Sequence, residues 1–333
     1  MRVVVLGIGA VGGTIAARLS DAGTEVVALA RGEHAAAVRA DGLRLDAPDG
    51  PVTARMDVVD RPEDLDLRPD DVLVLATKSQ HTAAVLEALP PAARDLPLLL
   101  AQNGVSNERE AARRFSDVHG VCVMLPALHL EPGRVAVFSR PSAVLEVGRW
   151  PGGTTAVDHA VAETFTAAGL LTRAREDVQA YTYRKLLSNL GNAVQALLGT
   201  EPGDEVTAAT RTLHHRAVAE GERVLALAGV PLLDLDRWKA DVAAELEMAD
   251  VEGVERGGGS TWQSLLRGAG SVEADHLNGE VVLLARLHGT TAPVNEALRR
   301  AVVDAAREGR RPGSTAPAEL IRLVDEAEAA QRR

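Results

Sequence analysis

Four apolar residues, Val3-Val4-Val5-Leu6, run straight into glycines at positions 7, 9 and 12, and small residues with helical spacing follow from Ala10 to Ala22. This G-x-G-x-x-G spacing between a strand-like run and a helix-like run constrains the 333-residue chain more than any other feature. Each glycine has its own duty. Gly7 makes a tight turn, Gly9 lets backbone approach a pyrophosphate, and Gly12 lets the helix pack on the strand. The first helical residues, Ala10, Val11 and Gly12, bring free N–H groups and the positive end of the helix dipole toward an anion. The motif predicts a Rossmann-type dinucleotide-binding domain.

The rest of the first half supports that domain. Glu25–Ala30 is strand-like, Glu33–Ala40 helical, Val72–Ala76 an uninterrupted apolar run, Ala83–Leu89 helical, and Leu98–Ala101 another buried strand. Such alternation predicts a parallel sheet covered by helices on both faces. From Val118 to Val147 the pattern is strand-rich, with a turn at Glu131-Pro132-Gly133. This segment is expected to extend the sheet with some antiparallel pairing. A helix over Asp158–Ala167 and a strand over Leu170–Arg173 close the domain. After Asp177 the strand signals stop. Tyr181–Leu198, Glu205–Ala228, Leu235–Met248, Val272–His288 and Val294–Glu308 all have helical spacing. The expected fold class is α/β, with a Rossmann-type domain over residues 1–176 and an all-helical domain over 177–333. Gly257-Gly258-Gly259 marks a flexible or close-approach loop, suited to closing over a site.

Composition narrows the function. Hydrophobic residues make up 46% of the chain, enough for a core, but aromatics only 2%, which disfavours stacking platforms for single-stranded nucleic acid. The net charge of -11 argues against nucleic-acid or anionic-membrane partners. No apolar stretch reaches bilayer-spanning length and no secretory signal opens the chain, so the expected location is cytoplasmic. The single cysteine, Cys122, lies in an apolar run and reads as a buried hydrophobe. His214 and His215 are adjacent, point in different helical directions and do not make a metal pair; no metal is expected.

Only three of the 36 basic residues are lysines: Lys78, Lys185 and Lys239. Arginine keeps its proton at working pH and lysine can release it, so the lysines are the candidates for proton chemistry. Lys185 and Asn189 are four residues apart and share a helix face flanked by leucines. A partly desolvated lysine can deliver a proton near neutral pH, as hydride reduction of a ketone requires. The second strand ends Ala28-Leu29-Ala30-Arg31, with no acid at its tip. A carboxylate there bonds the ribose hydroxyl of NAD, whereas Arg31 would pair with a 2′-phosphate, so the expected cofactor is NADPH. Further on, Ser260-Thr261 follows the triple glycine at a helix start, where hydroxyls suit a carboxylate or phosphate. Glu273 opens a long helical pattern.

Taken in order, the glycine motif, Arg31, Lys78, Gln102-Asn103-Gly104, Lys185 with Asn189, Ser260-Thr261 and Glu273-x-Asp275-x-x-Asn278-Gly279 resemble the ketopantoate reductase (2-dehydropantoate 2-reductase) family over nearly the whole chain. The resemblance implies reduction of a small anionic 2-keto acid by NADPH in a cleft between the domains. It implies catalytic roles for Lys185, as general acid, and for Glu273, which engages the substrate hydroxyl and helps hold the lysine. Asn103 would contact nicotinamide, lysine and substrate. Asn189 would contact the substrate, Ser260 or Thr261 its carboxylate, and Lys78 the cofactor. One position departs: the family commonly has a second asparagine eight residues after the lysine, where this chain has Ala193, with Asn192 one residue early. That shift turns a helical side chain by about 100° and bears on which substrate is held. Two alternatives therefore stay open: a related NADP-dependent dehydrogenase of another small keto or hydroxy acid, and a non-catalytic NADP(H)-sensing protein. A homodimer is left open as well.

Overall fold

A computed structural model describes residues 1–200 and 203–331. Its strands are β1 (Arg2–Leu6), β2 (Val26–Leu29), β3 (Leu43–Asp46), β4 (Val52–Ala54), β5 (Asp57–Val59), β6 (Asp71–Leu75), β7 (Leu98–Leu100), β8 (Val118–Met124), β9 (Ala127–Glu131), β10 (Arg134–Val137), β11 (Ser139–Arg140), β12 (Ala143–Arg149), β13 (Leu170–Ala174) and β14 (Glu247–Met248). Its helices are α1 (Ala10–Asp21), α2 (Gly32–Asp41), α3 (Thr82–Ala88), α4 (Asn107–Ala111), α5 (Ala156–Ala167), α6 (Val178–Asn189), α7 (Gly191–Leu198), α8 (Asp204–Leu227), α9 (Leu235–Asp241), α10 (Ser260–Leu266), α11 (Asn278–Leu287), α12 (Pro293–Arg307) and α13 (Pro317–Gln331).

The main sheet has eight strands in the order β13-β12-β8-β7-β6-β1-β2-β5. All neighbours pair parallel except β8 and β12. Alternation along β1 explains why both faces are covered. Val3 and Val5 enter a core with Ile15 of α1 and Phe165 of α5, while Val4 and Leu6 enter a second core with Val85 and Leu86 of α3. The chain leaves β1 toward β2 on one side and later returns to β6 on the other. That reversal is where doubly wound sheets open a crevice beyond their strand C-termini.

The strand-rich segment divides rather than simply extending this sheet. β8 and β12 join it, but β9 and β10 pair with β3 and β4 in a separate four-stranded sheet, ordered β4-β3-β10-β9. α1 packs against this second sheet as well as against β1 and β2. Gly13 allows the approach: a methyl group there would lie 3.1 Å from Val135 of β10.

The chain forms two compact units: Met1–Thr182 with Leu233–Arg256, and Tyr183–Leu232 with Gly257–Arg333. This differs from a single division after residue 176, because the segment expected as one helix over Leu235–Met248 belongs to the first unit. It is the short α9 followed by β14, which pairs antiparallel with β11. The reasons are local and polar. Asp234 caps α9 by accepting from the Asp236 and Arg237 backbones at 2.9 and 3.1 Å. At the other end Arg173 donates to the Asp241 carbonyl at 2.7 Å, and Tyr181 donates to the Asp241 carboxylate. Trp238 and Val242 bury beside Tyr181 and Val144.

The second unit holds helices and no strand among the described residues. Two expected helices are interrupted. The run Tyr181–Leu198 becomes α6 and α7, separated at Leu190. The run Val272–His288 becomes a 3-10 turn over Glu273–His276 and then α11. Asn278 fastens the second break, donating to the Leu190 carbonyl at 3.2 Å and to Asn295 at 3.0 Å. Asn295 in turn donates to the buried Glu220 carboxylate, which also accepts the Val294 and Asn295 backbone N–H groups. This chain of polar groups joins α8, α11 and α12 through an otherwise apolar core.

Candidate functional site

In the first unit the glycines differ in the way their motif requires. Gly7 has φ +96°, and a methyl group on it would lie 2.6 Å from the Thr77 methyl. A methyl on Gly12 would fall against the Gly7 carbonyl oxygen and 2.8 Å from Ala76. Gly9 meets nothing within 4 Å and stands exposed as the residue before α1. Two glycines thus seat α1 on β1 and β6, and the third leaves open space beside the helix N-terminus, where Ala10 and Val11 begin. The Thr77 hydroxyl, next to Gly7 and past the end of β6, is buried and has no hydrogen-bond partner among the described residues. An anion held by N–H groups fits this open, donor-lined corner.

Arg31 follows Ala30 at the tip of β2, exposed and extended, immediately before α2. Lys78 is half-buried beyond β6. Asn103 is half-buried beyond β7, and its carbonyl accepts from Ser79 at 2.9 Å and from the Asn107 amide at 3.0 Å. The same network continues through Gln102, whose amide donates to the Thr77 carbonyl and to Thr82, both at 2.8 Å. Thr82 donates to Asn107 at 2.9 Å. The loops after β6 and β7, which carry Lys78 and Asn103, are therefore tied into one rigid piece. Gln102 and Asn107 received no positioning role from the sequence, because all their partners but Asn103 lie 20 to 28 residues away.

Lys185, Asn189, Ser260, Thr261 and Glu273 all fall in the second unit. Lys185 is half-buried and Asn189 buried, one turn apart on α6 as expected. Ser260 and Thr261 open α10, with Thr261 buried. α10 packs against α7, and the Gly259 N–H before it donates to Gln195 of α7 at 2.7 Å. The triple glycine is a close-approach loop: methyl groups on Gly257 and Gly258 would lie 2.7 and 2.5 Å from the Trp262 ring. Glu273 is buried on the turn before α11. Asp275 pairs instead with Arg299 at 2.6 Å. Ala193 is buried on α7, whereas Asn192 is half-buried and faces Gly259. Lys239, on α9 of the first unit, is exposed beside Asp236 at 3.6 Å.

A doubly wound sheet with a glycine-rich turn at its switch point, followed by a helical unit that carries a lysine, defines a pyridine-nucleotide-dependent oxidoreductase. Residues 3–152 match the family model described as ketopantoate reductase PanE/ApbA, and residues 177–305 match its C-terminal counterpart. The chain belongs to the ketopantoate reductase family. A 2-dehydropantoate 2-reductase of Halobacterium salinarum is 31% identical over 323 residues, covering 93% of this chain and all of that protein. Among solved structures, a PanE/ApbA family ketopantoate reductase from Ralstonia eutropha superposes with a TM-score of 0.74 at 27% identity, covering 93% of this chain and 99% of that one. A D-mandelate dehydrogenase solved with NADH and anilino(oxo)acetate shares the fold at a TM-score of 0.77 and 20% identity, over 92% of this chain and 99% of that one.

Proposed function

We propose that this chain reduces 2-dehydropantoate, or a closely related 2-keto acid, to the 2-hydroxy acid, with NADPH as hydride donor and Lys185 as proton donor. The observation that carries the reading is the company Lys185 keeps. It is a half-buried lysine one turn from a buried amide, in a unit that also holds the buried Glu273 and the Ser260-Thr261 helix start.

The first unit supplies the cofactor residues. Gly7, Gly9 and Gly12 shape the phosphate turn, the N–H groups at Ala10 and Val11 face the diphosphate, Arg31 pairs with the 2′-phosphate, and Lys78 and Asn103 hold the nicotinamide end. When bound, the reduced nicotinamide supplies the hydride that forms the new C–H bond at the keto carbon. As the carbonyl π-electrons move onto oxygen, the Lys185 ammonium gives that oxygen its proton and is recharged from solvent. Ser260 and Thr261 hold the substrate carboxylate, Asn189 orients the substrate, and Glu273 accepts from the substrate hydroxyl and keeps the lysine in place.

Replacing Lys185 by Met removes the proton and keeps the stem. Turnover should fall about 10²- to 10⁴-fold, with nucleotide affinity retained. Unchanged kcat sinks the assignment. A second reading has its own observation: alanine is buried at position 193, and the amide at 192 faces Gly259. That rearrangement favours a different 2-keto or hydroxy acid, and the same fold carries a D-mandelate dehydrogenase. A keto-acid panel with NADPH and NADH separates the two. Preference for ketopantoate upholds the first reading, preference for another acid upholds the second, and tight NADPH binding with no turnover leaves only nucleotide sensing.

A further inference from the structure

His34 lies in the first turn of α2, three residues after Arg31, and its half-buried ring makes contacts far along the chain. Ring Nε2 is 2.9 Å from the carbonyl oxygen of Ile8, inside the phosphate turn. Ring Nδ1 lies 2.9 Å from the backbone N of Gly133, in the turn between β9 and β10, and 3.1 Å from Nε2 of His129. These contacts fix the tautomer. A backbone N–H can only donate, so Nδ1 accepts; the ring proton then sits on Nε2 and is given to Ile8. Burial disfavours the charged ring, which keeps the imidazole neutral, although the Ile8 carbonyl pulls the other way. The His129 ring braces it edge-on at 4.6 Å between centroids.

One side chain thus joins three structures. It stands on the helix that follows Arg31, grips the carbonyl between Gly7 and Gly9, and is held from behind by the second sheet. The geometry points to His34 as a positioning residue for the dinucleotide, a neutral imidazole bracket that fixes the phosphate turn relative to the Arg31 end of the site. It touches neither substrate nor reacting atoms. It acts through Ile8, setting where the exposed Gly9 backbone and the first N–H groups of α1 point. The residue types fit the task. A charged side chain could not accept from Gly133 while donating to Ile8, and a shorter one could not span from α2 to the turn. The inference needs nucleotide binding at this turn and is independent of which keto acid is reduced.

The test compares His34→Ala, His34→Gln and Arg31→Ala in the full chain. Dissociation constants for NADPH and NADH come from nucleotide fluorescence, and kcat is measured at saturating cofactor. Loss of the bracket should weaken both nucleotides about tenfold, the scale of one or two lost hydrogen bonds, and leave kcat within about threefold. Arg31→Ala should weaken NADPH selectively. Glutamine keeps an amide donor for Ile8 and an oxygen for Gly133, so His34→Gln should recover most of the affinity. If His34→Ala folds poorly, the glutamine variant with an unchanged melting temperature and near-native affinity still supports the bracket. Native affinity for both nucleotides in His34→Ala overturns it. So does a His34→Gln protein that melts like the wild type but binds as poorly as His34→Ala.

Discussion

A methyl group on Gly12 has nowhere to go, since the Gly7 carbonyl and Ala76 already occupy its place. Both obstacles belong to elements fixed at the centre of the sheet, so α1 would have to lift from β1 and β6. Overpacking of this kind costs about 1–3 kcal/mol. Gly12→Ala should therefore lower the melting temperature and weaken nucleotide binding together. Gly9→Ala is the control. Its methyl enters open space at an ordinary backbone conformation, so stability should hold while nucleotide affinity falls, the added carbon standing where the diphosphate approaches. Melting curves with nucleotide titrations read both. A stable, tightly binding Gly12→Ala protein would remove the close-packing role. These duties were legible in the sequence because the glycine spacing, set between a strand-like run and a helix start, itself marks the turn, although the walls it packs on, Ala76 and Thr77, lie far along the chain. His34 was not legible. Its partners lie 26, 95 and 99 residues distant, and nothing in Glu33-His34-Ala35 announces them.

Elements obeyed the same rule of distance. The uninterrupted apolar runs of β1, β6 and β7 and the periodic helices α1, α8 and α12 were readable, because burial on both faces leaves an unbroken run and burial on one face imprints a period. β3, β4 and β5 were not readable: none has more than two apolar residues in a row, and Leu43-Arg44-Leu45-Asp46 and Val52-Thr53-Ala54 owe their strand state to pairing, β3 with both β4 and β10. The contact between β8 and α5 is another long-range product with a measurable consequence. His119 is fully buried on β8, its Nδ1 2.7 Å from Asp158, which also accepts the Thr155 backbone N–H in a capping box at the start of α5. Burial pushes His119 toward neutrality, but Asp158 and Asp117 outweigh it and raise its pKa. Burial likewise works against the Asp158 anion, and His119 with the Thr155 donors outweighs it and lowers the pKa. The signs define a window. The raised histidine stabilises fully below its unfolded value near 6.5 and loses that contribution as pH rises through the folded value; the lowered aspartate loses its own only under acid, through its depressed value. The stability difference between the wild type and His119→Gln should be largest between about pH 4 and 6.5 and shrink on the alkaline side. Denaturant melts across pH 5 to 9 decide it, and a flat difference would mean the pair is not ionised.

At the scale of the whole molecule, the two proposed chemical duties fall to two units, and linkage can show whether they are separable. The residues proposed for the cofactor, Gly7, Gly9, Gly12, Arg31, Lys78 and Asn103, all fall in the first unit, and those proposed for substrate and proton, Lys185, Asn189, Ser260, Thr261 and Glu273, all fall in the second. A ligand that binds only folded protein stabilises it by about 2.7 kcal/mol at one hundred times its dissociation constant. For a unit of this size that is a rise in melting temperature of roughly 5 to 10 °C. NADPH should deliver that rise to the wild type and, undiminished, to Lys185→Met, whose turnover is lost. Arg31→Ala should lose most of the rise with NADPH and little of it with NADH, since only the 2′-phosphate contact is gone. The net charge of -11 makes the comparison sharper. An acidic chain offers an anionic nucleotide little general attraction, so affinity has to come from local donors such as Arg31 and the turn at α1. If Lys185→Met abolishes the NADPH-dependent rise, the lysine serves to hold the nucleotide, and the proton donor must be sought elsewhere in the second unit.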